Sequence, residues 1–245
     1  MIPPAHRPSI EAKYTFATGV DAALRTALEA VCVKDPEHPH DAVNSVYYDT
    51  ADRFHLAEKV NSDYLKTKVR LRWYSPPDDA DPSHLVTAFL EVKAKQGVFR
   101  RKGRVAVQIR SGALQPGAER FDELEDVVHS ARECGYEPPG PLFPMIAIRY
   151  HRHRFFEPGS AARISLDTVI GYTGINDRFF VDTGPRALTV GVLEIKSTTG
   201  DLPPSFFAVR GFLNKRDSFS KYEECWQLHG DPLYRREFQW MHFKR

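Results

Sequence analysis

Cysteine is scarce in this chain of 245 residues. Cys32, Cys134 and Cys225 are the three present, they are far apart, and no CxxC occurs. An odd, dispersed set excludes a disulfide framework and a cysteine-based zinc site, and it suits a reducing compartment. No apolar run approaches the roughly 20 residues that cross a bilayer as a helix. The opening MIPPAHRPSIEAKY lacks the basic-then-apolar order of a secretory signal. Nor is there an excess of charge of one sign: 34 Lys+Arg face 32 Asp+Glu, a formal net charge of +2. A general nucleic-acid coat is usually strongly basic, so no nucleic acid is expected as partner. Phosphate-cradling loops are missing too, since the chain has no GxxxxGK[ST], no GxGxxG opening a helix, and no GxSxG elbow. These absences describe a soluble, cytoplasmic protein that binds no nucleotide through a P-loop or a Rossmann unit.

What is present is material for a core. Hydrophobic residues make up 42% of the chain and aromatics 12%, enough to exclude wholesale disorder. Strand-like segments recur at Ile10–Phe16, Asn44–Tyr48, Tyr64–Tyr74, Val86–Ala94, Arg101–Ile109, Met145–Phe156, Arg163–Ile170, Arg178–Val181 and Val190–Ser197. Gly97 marks a hairpin between the fourth and fifth of these. Helical spacing appears at Val20–Val33, with Thr18 or Asp21 as cap, at Phe121–Cys134 with Gly135 as stop, and at Lys221–Leu228. The proline-rich stretch 138–144 reads as an internal connector. The pattern predicts a mainly β (α+β) chain: one antiparallel barrel or sandwich with helices outside it, residues 9–232 as a single domain, and 1–8 and 233–245 as flanking tails.

The strands carry charge in an unusual arrangement. Glu11-Ala-Lys13, Glu91-Val-Lys93 and Glu194-Ile-Lys196 each place an acid and a base on one strand face, because residues i and i+2 share a face. Lys68-Val-Arg70-Leu-Arg72 puts three cations on one face and Val69, Leu71 and Trp73 on the other. Lys102-Gly-Arg104, Arg152-His-Arg154 and Arg163-Ile-Ser165-Leu-Asp167 repeat the theme. An ordinary sheet with a solvated polar face explains any one of these pairs, each worth about 0–1 kcal/mol. Three like charges at i, i+2 and i+4 repel, however, unless an anion sits among them. Dense Lys and Arg with a few carboxylates is what a polyphosphate and a hard divalent cation require: Arg grips phosphate oxygens in pairs, Lys supplies point charge, and a carboxylate holds the metal.

In their order and spacing, EAKY, SVYYDT, KVRLRWY, FLEVKAK followed by RKGRV, YHRHRFF, RISLDT, VLEIKS and FSKY resemble the vacuolar transporter chaperone (VTC) domain of the triphosphate tunnel superfamily, which includes the CYTH proteins. The resemblance runs from about Glu11 to about Leu228. It implies an eight-stranded antiparallel β-barrel tunnel with a charged lumen, in which ATP donates phosphoryl groups to a growing polyphosphate with manganese or magnesium as cofactor. Carried over residue by residue, it makes Arg70, Arg72 and Lys93 the groups that brace the transferred phosphoryl. Lys13, Lys68, Lys102, Arg152, Arg163, Lys196 and Lys221 become phosphate contacts, with Ser220 adding a hydroxyl, Lys59 a further cation, and Glu194 the metal ligand. Many CYTH relatives open with E-x-E-x-K, whereas here Ser9 stands at the first position, which favours the VTC branch. The alternatives are a triphosphate hydrolase in the same tunnel and a non-catalytic polyanion-binding accessory module.

Other residues weigh less. His151 and His153 alternate against Arg152 and Arg154, so they face away from the lumen and are expected to hold no metal. Tyr47, Tyr48, Trp73 and Tyr74 read first as core and second as a base-stacking surface. Trp226 and Leu228 read as packing residues of the last helix.

Overall fold

The computed structural model describes residues 10–61, 64–74, 81–97, 99–114, 121–180, 184–214 and 216–229. Ser9 and both expected tails lie outside them. Among the described residues eleven strands are formed: β1 (Ile10–Ala17), β2 (Val33–Lys34), β3 (His40–Thr50), β4 (Leu65–Tyr74), β5 (Leu85–Gln96), β6 (Phe99–Arg110), β7 (Leu142–Glu157), β8 (Ala162–Gly174), β9 (Arg186–Ala187), β10 (Val190–Ser197) and β11 (Arg216–Asp217). The helices are α1 (Asp21–Glu29), α2 (Phe54–Asn61), α3 (Ser111–Leu114), α4 (Phe121–Asp126), α5 (Phe207–Arg210) and α6 (Lys221–His229), with 3-10 turns at Val127–Ala131 and Pro204–Phe206. None of these helices is long and apolar enough to cross a membrane. The chain is mainly antiparallel sheet with flanking helices, as expected.

Two compact units divide the chain, one of residues 1–42, 150–170 and 187–219, the other of residues 43–149, 171–186 and 220–245. Strands β3, β7, β8 and β9 have residues in both. In the first unit the strand order is β11-β1-β10-β8-β7, and in the second it is β7-β3-β4-β5-β6. Among the described residues the order ends at β11 and at β6, so the sheet is open, where the resemblance implied a closed eight-stranded barrel. The β6 edge protects itself chemically. Arg100, Arg101, Lys102 and Arg104 are all exposed along it, and charged side chains are what discourage further strand pairing.

Each unit builds its own core from the apolar face of its strands. In the first, Phe16, Ile164, Leu166, Leu193 and Ile195 pack with Leu24 and Leu28 of α1, with Phe206 of the 3-10 turn and with Val209 of α5. In the second, Val46, Tyr48, Val69, Leu71, Trp73, Leu90 and Val92 pack beneath Leu114, Leu124 and Val127. Burying a Leu- or Phe-sized side chain stabilises by about 1.5–3 kcal/mol, so this alternation fixes which face of β4 and β5 meets the core. The charged alternates are thereby committed to the opposite face.

Several local expectations are revised. Residues 178–180 form a turn instead of a strand (Val181 lies outside the described residues). Fully buried Asn176 organises it: its side chain donates to Pro144 O (3.2 Å), its Oδ1 accepts the Arg178 N–H (3.2 Å), and its carbonyl accepts from Phe179 and Phe180 (both 3.1 Å). The helix expected at 121–134 tightens into a 3-10 turn at Val127 and ends at Gly135, whose φ is +68°. Helix α1 begins without a side-chain cap: Val20 holds the cap position, Thr18 donates to Thr189 O (3.2 Å), and Asp21 accepts the Gly19 N–H (3.1 Å). Leu228 is 50% exposed, whereas Trp226 is buried as expected.

Candidate functional site

In the second unit, strand pairing assembles cations that the sequence shows only strand by strand. Residues directly opposite in an antiparallel pair share a face. The β4–β5–β6 register forms the rows Lys66–Lys95–Arg100, Lys68–Lys93–Lys102, Arg70–Glu91–Arg104 and Arg72–Phe89–Ala106. Glu91 is the one carboxylate in these rows. Like charges directly opposite are destabilising, and Glu91 in the next row feels the charge of Lys93. The Lys68–Lys93–Lys102 row brings together three of the residues expected to contact phosphate.

The two arginines beside it are held by the neighbouring strands. Arg70 donates through Nε and Nη2 to Glu91 Oε2 (2.8 and 2.7 Å) and through Nη1 to the Tyr47 hydroxyl (3.3 Å). Arg72 donates from Nε to Ser45 Oγ (3.2 Å). Both arginines are buried, which orients them before any ligand arrives; Arg70 has its Nε–Nη2 edge on Glu91, the same engagement that Arg152 has with Asp167. Burial works to raise the Glu91 carboxyl, but Arg70, Arg72 and Lys93 outweigh it and hold it below its ordinary value. Arg104 lies 3.7 Å over the Phe89 ring.

Tyr47, wholly buried, shows the strength of this field. Desolvation alone would raise its phenol, yet Arg70, Arg72 and Lys68 bring it down from 10.0 to about 7. Its ring stacks on Tyr222 of α6 (5.3 Å, 8°), and the Tyr222 hydroxyl donates to Asp49 Oδ2 (2.9 Å). Asp49 also accepts the His55 and Leu56 N–H groups at the start of α2 (2.9 and 3.0 Å). Buried aspartate thus hangs α6 on the end of β3. The helix start delivers Ser220, whose Oγ accepts from Lys68 Nζ (3.0 Å), next to half-buried Lys221. Lys59 pairs with Glu223 of the same helix (2.8 Å).

In the first unit the register Glu11–Lys196–Arg163 lies beside Lys13–Glu194–Ser165. Lys13 meets Glu11 at 3.2 Å and donates to Phe219 O (3.2 Å), while Lys196 contacts Glu194 and reaches Glu11 at 3.8 Å. Glu194 is 9% exposed. Burial pushes its carboxyl up, but Lys196, Lys13 and Arg152 prevail and hold it far below the ordinary carboxylate range. Arg163 is exposed beside Lys196. Arg152 donates from Nε and Nη2 to fully buried Asp167 (2.6 and 2.7 Å), so its fork is already engaged by a carboxylate.

Among the described residues no group of three or more His, Cys, Asp or Glu is placed to hold a metal. Ionised Glu194 with Glu11 beside the same lysine fits a different kind of site: a magnesium- or manganese-like ion takes one or two carboxylates and completes its shell with phosphate oxygens and water. His151 and His153 form a stacked group with His40, at ring distances of 5.3 and 4.4 Å, apart from these carboxylates in the contacts they make.

Sequence reading assigns no site role to Glu91, Ser45, Asp49 and Asp167, and takes Tyr47 first as core and second as a base-stacking surface. An acid two residues before a lysine signalled Glu91; the others sit in runs that look like core or turn.

No curated protein sequence matches the chain significantly. Among solved structures, the PH1819 protein of Pyrococcus horikoshii is 10% identical, with 90% of this chain and 100% of that chain covered and a TM-score of 0.45. A candidate adenylate cyclase from Vibrio parahaemolyticus is 15% identical, with 87% and 95% covered and a TM-score of 0.41. One from Bacillus halodurans is 13% identical, with 78% and 81% covered and a TM-score of 0.42. The VTC domain description matches residues 12–229, nearly the whole length, and the chain therefore belongs to the VTC domain family.

Proposed function

We propose that this chain binds ATP and polyphosphate through its charged strand faces and, with a divalent metal, transfers phosphoryl groups to build polyphosphate. The observation that carries the reading is the in-register row Lys68–Lys93–Lys102 next to preset Arg70 and Arg72. A loose phosphoryl transition state asks the protein for positioning and charge neutralisation more than for covalent chemistry. Arg70, Arg72 and Lys93 suit the bracing of the transferred group, with Lys68, Lys102, Ser220 and Lys221 on neighbouring phosphates. In the first unit Lys13, Arg163 and Lys196 supply further phosphate contacts, and Glu194 with Glu11 is the place for the metal. When bound, such an ion neutralises charge on two phosphates. Arg152 enters this reading indirectly: its pairing with Asp167 fixes a positive charge beside Glu194.

The test is incubation of the full chain with ATP and manganese, followed by polyphosphate and ADP detection. Polymer growth with ADP release is the expected result. Orthophosphate released from inorganic triphosphate without chain growth replaces the reading by hydrolysis. Tight polyphosphate binding with no turnover by folded, metal-supplied protein replaces it by an accessory binding module.

A further inference from the structure

We propose that the tip formed by the β5–β6 hairpin and the start of β4 is a docking surface for an anionic lipid bilayer. Three large apolar side chains meet there in the open: Phe99 is 78% exposed, Tyr64 58% and Leu65 41%. The last row of the three strands is Leu65–Gln96–Phe99. By alternation Leu65 and Phe99 continue the face that Val69 and Val92 bury further along the strands, so the apolar face runs past the end of the core into solvent. Cations follow immediately. The next row on one face is Lys66–Lys95–Arg100, and on the other it is Thr67–Ala94–Arg101. Hydrophobic side chains thus project at the end, with a row of three cations one residue behind them on the opposite face and Arg101 two residues behind on their own.

The described residues of the tip are held against one another. The Gly97 N–H donates to Tyr64 O (2.8 Å), Gly97 has a φ of +57°, and a Cβ there would come within 2.9 Å of the Tyr64 ring. A left-handed glycine under the ring is therefore required to close the turn against it.

An apolar end backed by cations matches the depth profile of an anionic membrane surface, where apolar side chains enter the headgroup–acyl boundary and Lys or Arg stay at the phosphates. A second copy of the chain fits worse, because pairing two such tips brings like charges together. Single-stranded nucleic acid uses aromatic faces over a basic groove, and Leu65, one of the exposed residues of the last row, has no π-face.

The experiment is co-sedimentation of the full chain with vesicles of phosphatidylcholine alone or mixed with phosphatidylserine. Wild type is expected to sediment with the mixed vesicles only, less so at high salt. Leu65→Ser/Phe99→Ser, with unchanged thermal unfolding, is expected to lose binding by roughly tenfold or more, since each side chain removed contributes on the scale of a buried Leu or Phe. In Phe99→Trp the indole emission is expected to shift to the blue on adding mixed vesicles. The proposal is overturned by absence of sedimentation with anionic vesicles, by undiminished binding of the double serine variant, or by an unshifted Phe99→Trp emission. It is equally overturned if the variant's only losses are self-association or binding of single-stranded RNA. None of these outcomes depends on phosphoryl transfer.

Discussion

Lys93 stands directly opposite Lys102 across β5 and β6, with Lys68 opposite it on the other side in β4. A folded protein tolerates such a row when the penalty is repaid by an anion. Lys93→Gln removes the middle charge, and its side chain is exposed. Thermal stability without ligand is therefore expected to stay level or rise slightly, by up to about 1 kcal/mol. Triphosphate affinity is expected to fall roughly tenfold and to depend less on salt. Calorimetric titration at two salt concentrations checks both. A loss of unliganded stability would show that Lys93 acts in a structural ion pair.

Arg72→Ala separates the two arginines. Arg72 is tethered to a neutral hydroxyl, Ser45 Oγ, whereas Arg70 is tied to the Glu91 carboxylate. Loss of Arg72 weakens the field on Glu91 but leaves that carboxylate its direct partner Arg70, and it takes one cation from a crowded face. Phosphate binding and turnover are expected to drop by at least tenfold, with the unfolding midpoint moved little. Arg70→Ala, by contrast, is expected to destabilise as well, because Glu91 keeps its charge beside a core.

Tyr47 supplies a pH dependence. Its folded value is lowered from 10.0 to about 7, so its contribution to stability is complete only above the unfolded value and is lost as pH falls through about 7. Wild type is therefore expected to gain stability relative to Tyr47→Phe as pH rises from 7 to 10. Over the same interval the new phenolate competes with phosphate for Arg70, and triphosphate affinity is expected to weaken in wild type but not in Tyr47→Phe. Tyrosinate absorbance during alkaline titration reads the ionisation directly. Its appearance only near 10 would remove the effect.

Arg152 and Asp167 form the most buried ion pair of the first unit, with Asp167 fully enclosed. Arg152→Ala is expected to cost about 3–5 kcal/mol of stability, because a carboxylate is left buried without its partner. Arg152→Met/Asp167→Leu is expected to recover much of that loss. A purely phosphate-contacting arginine predicts the reverse, with weakened binding and no change in unfolding. Thermal unfolding of the three variants decides between them.

The legible part of this protein was its alternation. KVRLRWY and FLEVKAK name the core face of β4 and β5 and the charged face opposite, because a two-residue period can be read from one strand. Which residues meet across strands cannot, since register depends on turn geometry and partner choice. That is why Lys68–Lys93–Lys102 emerges only with the fold, and why the pairing of Arg152 with Asp167 is not legible in YHRHRFF. Tyr47 and Ser45 hide in SVYYD for the same reason: their role comes from facing Arg70 and Arg72. Helix α2 escaped because it has eight residues and is capped by Asp49 and Thr50 from the end of a strand. Strand count alone leaves a barrel and a sandwich open, and the closed eight-stranded tunnel comes from the family resemblance; among the described residues the strand order ends at β6.

Glu194→Gln tests the centre of the proposal. The carboxylate is enclosed by Lys196, Lys13 and Arg152, which hold it ionised far below ordinary carboxylate pH. The amide keeps size and one acceptor but loses the charge that would anchor a metal. Turnover is expected to fall by orders of magnitude, since charge neutralisation by a phosphate-bridging ion is worth several kcal/mol. Triphosphate binding without metal is expected to hold or tighten slightly, because Lys196 and Lys13 are released toward the phosphates. A depressed carboxylate also contributes stability above its unfolded value near 4.5 that is lost as pH falls, so the variant is expected to unfold more easily at neutral pH and to converge with wild type in acid. A structural pairing of Glu194 alone predicts the stability change without any change in metal response. Titrating manganese against both proteins separates the two: an identical metal dependence of turnover in the variant would sink the assignment.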